Sequence, residues 1–182
     1  TVTPTKPTKL EDQHLRMWNL ALSATFPKEK FEIFDAQCFL RRLLGEAMEQ
    51  EDQEILKQWL RKAFQDQDLL LFPLHCPESE DHPVGHWTLL AVQRQPQEVR
   101  YYETLADQNE FCLSKAVSLL SILGITQDLK PKNVFMQKDE ECCECVMHYM
   151  ELEVRHLAGE GWGSVLSLHP EHRLTIRGQL KR

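Results

Sequence analysis

From Asp12 to Ala24 the apolar positions Leu15, Trp18, Leu20, Leu22 and Ala24 predict a helix, closed by Phe26-Pro27. A second helix is predicted over Asp35–Met48, with Phe39, Leu40, Leu43 and Leu44 inward. A third is predicted over Glu51–Phe64, with Ile55, Leu56, Trp59, Leu60 and Ala63 inward. The pattern then changes. Leu69 to Leu74 is a continuous apolar run of strand length, and a polar loop follows from Pro77 to Gly85. His86–Val92 and Val99–Leu105 read as two strands of a hairpin, turning through Gln93 to Glu98. Phe111–Leu123 is a helix stopped at Gly124, and Asn133–Met136 is a last short strand. Val146, Tyr149, Met150, Val154 and Leu157 then place a buried-face helix from about Cys142 onward. The tail from Gly159, with its Gly-Trp-Gly, carries no assignable element. Helices, then a mostly antiparallel sheet, then a helix packed on it make an α+β layout.

Length and composition narrow the class. At 182 residues, 42% hydrophobic and 27% charged, the chain suits one globular domain over 11–182. Residues 1–10, rich in Pro, Thr and Lys, read as a linker or arm, and the absence of an initiating Met points to a fragment of something longer. A net charge of −7 argues against a nucleic-acid binder. No apolar run reaches the length of a membrane span and no signal peptide is present, so no membrane partner is expected. Cys38, Cys76, Cys112, Cys142, Cys143 and Cys145 cluster too unevenly for a disulfide framework. A reducing, intracellular compartment, cytoplasmic or nuclear, is expected, with the chain a monomer.

The polar residues at element ends carry the chemistry. His86 opens a strand behind a loop containing Pro and Gly, Glu103 ends the partner strand, Gln137 ends the next strand, and Cys142 and Cys143 begin a helix. A thiol at a helix start sits in the positive end of the macrodipole, which favours the thiolate. The acidic Asp139, Glu140 and Glu141 oppose that effect, so a nearby cation is needed. Thiol, imidazole, carboxylate and amide are the four parts of thiol-acyl chemistry. The thiolate attacks a carbonyl, and the imidazole pairs with it and later protonates the leaving amine. The carboxylate orients the imidazole. An amide donor to the oxyanion is worth about 3–4 kcal/mol. Singly, each residue also has a plain packing or surface role. Zinc on Cys142, Cys145 and His148 is disfavoured, because those ligands crowd one helix with no second pair. Neither a metal nor a cofactor is expected.

The run His86-Trp87, Tyr102-Glu103-Thr104-Leu105, Gln137, then Glu141-Cys142-Cys143 before a helix, resembles the Ulp1/SENP-type ubiquitin-like-protein proteases (peptidase family C48, clan CE). Such enzymes show His-Trp, Tyr-Asp-Ser-Leu, Gln and Asp-Cys-Gly, and the likeness spans Leu69 to His156. The resemblance implies a papain-like fold of the Ulp1 type with the nucleophile at a helix N-terminus. It also implies cleavage after the C-terminal Gly-Gly of a ubiquitin-like modifier (SUMO- or NEDD8-like), with the modifier and its conjugates as partners. Catalysis would fall to Cys142, His86 and Glu103, with Gln137 as oxyanion donor and Trp87 flanking the channel for the Gly-Gly tail. Three departures stand. Glu103 replaces Asp. The Gly after the nucleophile is replaced by Cys143 or Glu144. Alignment on the glutamine makes Cys143 the nucleophile, whereas alignment on the helix, followed here, makes it Cys142. The competing readings are a catalytically impaired modifier-binding module, an acetyltransferase of the same clan, and a plain scaffold.

Overall fold

The computed structural model describes residues 12–35, 39–45, 48–77, 85–103, 110–129, 132–133 and 142–160. Their order is α1 (Asp12–Thr25), β1 (Phe31–Ile33), α2 (Arg41–Leu44), α3 (Gln50–Asp66), β2 (Leu69–Cys76), β3 (His86–Gln93), β4 (Glu98–Glu103), α4 (Glu110–Ile122), β5 (Lys132–Asn133) and α5 (Cys142–Leu157). The sheet follows the chain, β1-β2-β3-β4-β5. Its centre is antiparallel, β2 against β3 and β3 against β4, while the short outer strands β1 and β5 run parallel to their neighbours.

Both faces of the sheet are covered, which is why β3 is buried along its whole length. Side chains alternate across a strand, so successive residues serve two cores. Trp87, Leu89 and Ala91 join Leu15, Trp18, Val146 and Met150 on the face of α1 and α5. Leu90 and Val92 join Leu60, Tyr101, Cys112 and Leu119 on the face of α3 and α4. Each fully buried leucine contributes about 2 kcal/mol of transfer free energy, and Leu69 to Leu74 supply both cores from one strand.

Polar contacts inside the apolar layers fasten α5. The Trp18 indole Nε1 donates to the Met147 carbonyl oxygen at 3.2 Å. Tyr102 and Tyr149 stack with ring centroids 4.8 Å apart. The fully buried Glu153 carboxylate accepts from Arg100 Nε at 2.8 Å and Nη2 at 2.7 Å, and from the Tyr102 hydroxyl. Burial alone would lower the Arg100 pKa, but the hydrogen bond and charge of Glu153 outweigh it and the guanidinium is held charged. This bidentate pair ties α5 to β4.

Several expectations shift. The helix expected over Asp35–Met48 contracts to a single turn, α2. Asp35 Oδ1 accepts from the Phe39 N–H at 2.8 Å, and Gly45 leaves the helix in an extended conformation. A three-residue parallel strand, β1, stands ahead of it. On α1 and α3 the inward stripes are narrower than expected. Leu20, Ile55 and Trp59 are 71%, 62% and 67% exposed, while α3 turns the expected Leu56, Leu60 and Ala63 inward and adds Phe64. β2 runs on to Cys76, and β5 is described only over Lys132–Asn133. The expected arm at 1–10, the rest of the last strand and the tail lie outside the described residues.

Candidate active site

The antiparallel pairing of β3 with β4 brings the first residue of one to the same sheet end as the last residue of the other. His86 Nε2 stands 2.6 Å from Glu103 Oε1, with both side chains buried, at 2% and 1% exposure. A carboxylate only accepts, so an ionised Glu103 requires the proton on Nε2 and fixes the imidazole's tautomer. The Tyr101 hydroxyl donates to the other carboxylate oxygen, Oε2, at 3.5 Å. Tyr101 precedes Glu103 by two residues and so shares its face of the strand. Burial is the first cause raising the Tyr101 pKa, so it stays a neutral donor.

The backbone before His86 is built for close approach. Gly85 has φ +74°, and a Cβ there would lie 2.7 Å from His75 Nε2 and 2.8 Å from the Cys76 carbonyl oxygen. Cys76 faces His86 and His75 faces Trp87 across the β2–β3 ladder. The His75 and Trp87 rings meet at 4.6 Å and 41°. Trp87 is buried in the same core as Cys145 and Val146, in the first two turns of α5.

α5 starts at Cys142, as the periodicity predicted. The side chains of Cys142, Cys143 and Glu144, and the whole of Gln137, lie outside the described residues. Of the sequence-predicted site residues the structure therefore brings His86 and Glu103 together and buries Trp87 in the core it shares with Cys145 and Val146 of α5. The other described cysteines, Cys76, Cys112 and Cys145, form no disulfide. Burial pushes Cys112 up to about 12, which keeps it un-ionised, and Cys145 is core. Among the described residues no group of three His, Cys, Asp or Glu side chains is placed to hold a metal ion. Nor is any helix among them long and apolar enough to cross a membrane. Sequence reasoning missed Tyr101, Gly85 and His75. The two-residue spacing to Glu103 would have pointed to Tyr101, but nothing local marks His75.

No family model matches the chain, and no curated protein matches it by sequence. Solved structures do. Xanthomonas campestris effector protein XopD, in its complex with ubiquitin, superposes with a TM-score of 0.76 at 21% identity over 99% of this chain and 94% of that one. The Ulp1 protease domain, in complex with Smt3, the yeast ortholog of SUMO, gives 0.60 at 14% identity over 97% and 76%. A de-sumoylating protease gives 0.55 at 11% identity over 94% and 73%. A hydrogen-bonded His–Glu pair at one end of an antiparallel sheet, with a helix that begins in cysteines, thus sits in an architecture these proteins share. The chain has the α+β fold of the Ulp1-type ubiquitin-like-protein proteases.

Proposed function

We propose that this chain is a cysteine protease that cleaves after the C-terminal Gly-Gly of a ubiquitin-like modifier, from a precursor or a conjugate. The observation that carries the reading is the buried 2.6 Å pair of His86 and Glu103. Glu103 engages Nε2, so the other ring nitrogen, Nδ1, serves the thiol. Cys142 is the assigned nucleophile and Cys143 the second candidate, at a helix start where the macrodipole favours thiolate. His86 takes the thiol proton, the thiolate adds to the glycyl carbonyl, and the imidazolium returns the proton to the departing amine. Water then hydrolyses the thioester with His86 as base. Gln137 is assigned as the oxyanion donor, and Trp87 as a wall of the Gly-Gly channel. The modifier as partner is supported by the ubiquitin and Smt3 held in the similar structures.

A panel of ubiquitin-like proteins carrying a C-terminal electrophile tests this directly, read by intact mass and peptide mapping. The expected result is one covalent adduct per chain, mapped to Cys142 and absent in Cys142→Ala and His86→Ala. An adduct mapped to Cys143 would reassign the nucleophile within the same mechanism. Binding without any adduct would leave a modifier-binding module, and neither binding nor adduct would end the modifier reading.

A further inference from the structure

At the sheet edge farthest from the candidate active site, β1 leaves half of its backbone unused among the described residues. The Leu69 N–H donates to the Lys30 carbonyl oxygen at 3.2 Å, and the Phe34 N–H donates to that of Leu71 at 3.0 Å. In a parallel ladder this directs the peptide groups of 30, 32 and 34 toward β2, and those of Phe31 and Ile33 away from it. Beside that edge lies a cavity of about 320 Å³, between β1 and α3. Trp59, two-thirds exposed, forms one wall with its ring 6.2 Å from Phe39. Glu32, Asp35 and Asp66 supply three carboxylates to the lining. Among the described residues its cation is Lys62, which is paired with Asp66 at 2.9 Å. Burial raises the pKa of the half-buried Glu32 carboxyl, a cost that an incoming cation would relieve.

An open strand edge, a large exposed aromatic and the half-buried Glu32 carboxylate fit one kind of ligand. We infer that β1 and the Trp59 groove form a docking site for an extended segment of another protein, added as a sixth strand. Its groove-facing side chains would be apolar against Trp59 and basic against Glu32. Main-chain hydrogen bonds to Phe31 and Ile33 give such a segment its affinity, and alternate side chains give it specificity. The site is two strands away from His86 and independent of the proposed catalysis.

The probe is a fluorescein-labelled Thr-Lys-Thr-Leu-Thr-Lys-Thr peptide, whose Lys, Leu and Lys fall on one face of a strand, read by fluorescence polarisation. Saturable binding is expected, weakened about tenfold or more by Trp59→Ala. Glu32→Gln should weaken it several-fold, as should N-methylation of alternate peptide amides, while His86→Ala leaves it unchanged. Both protein substitutions are at accessible side chains and leave the cores intact. No saturable binding would overturn the inference. Binding indifferent to N-methylation and to Trp59→Ala would do the same, by reducing it to diffuse charge attraction. Binding that emerges only after removal of residues 161–182 would make the occupant a part of this chain and overturn the assignment to a partner.

Discussion

Glu103 shows what one side chain settles in this site. Its Oε1 meets His86 Nε2, which an ionised carboxylate requires to carry the proton, and its Oε2 accepts from the Tyr101 hydroxyl. Glu103→Gln keeps the shape but replaces an acceptor with an amide that can present N–H to Nε2, favouring the wrong tautomer. On the proposed mechanism, kcat should fall by about 10²–10⁴-fold with little change in KM. A kcat within a factor of a few of wild type would remove Glu103 from the mechanism. Gly85 makes a second, separable claim. Gly85→Ala combines an unfavourable φ, costing about 1–2 kcal/mol, with a collision against His75 and the Cys76 carbonyl. Gly124→Ala carries the same backbone strain, at φ +72°, with nothing within 4 Å. The two variants should lose similar stability in urea, apart from the collision, but only Gly85→Ala should lose activity, through displacement of His86. Equal activity losses would show that the contact at Gly85 does not position the histidine.

At the scale of elements, α5 is held by a buried charge pair, and that dictates an asymmetry. Arg100→Leu leaves the fully buried Glu153 carboxylate, among the described residues, with the Tyr102 hydroxyl alone, and should cost about 3–5 kcal/mol in urea unfolding. Arg100→Leu with Glu153→Leu should recover most of that loss, since no uncompensated charge remains. A double variant as unstable as the single one would show that the pair is worth more than its own desolvation. The helix and strand that carry the site were legible because their signals are local. The apolar stripe of α5 begins at Cys142, and His86 and Glu103 stand where apolar strands start and stop. β1 was not legible, because the three residues Phe31, Glu32 and Ile33 become a strand only through pairing with Leu69 to Leu71, well over thirty residues away. The Asp35–Met48 helix failed for the opposite reason: helically spaced Phe39, Leu40, Leu43 and Leu44 can serve a single turn as well as a long helix. Trp59 and Ile55 fitted a helical stripe one position beside the true one, and only the packing of Leu60 separates the two.

The whole molecule buries acids that ionise only at alkaline pH, and this gives its stability a predictable upper edge. Cys112, pushed up to about 12 from an ordinary 9.0, sits in the core of α3 and α4. Tyr101, Tyr102 and Tyr149 are raised above an ordinary 10.0, first by burial. The native state keeps these protons at pH values where the unfolded chain releases them. Above the unfolded pKa the unfolded state therefore binds fewer protons, and stability falls as pH rises. At pH 8 and below all four groups are essentially protonated in both states and contribute little pH dependence. For Cys112 alone the loss is about 1.4 kcal/mol per pH unit between roughly 9 and 12. Cys112→Ala removes that share while leaving a cavity penalty that does not change with pH. The stability difference between wild type and Cys112→Ala, measured by urea at pH 8 and again at pH 10.5, should thus shrink by about 2 kcal/mol. A difference that stays constant across that range would mean that burial in the core of α3 and α4 does not hold the Cys112 proton in the native state.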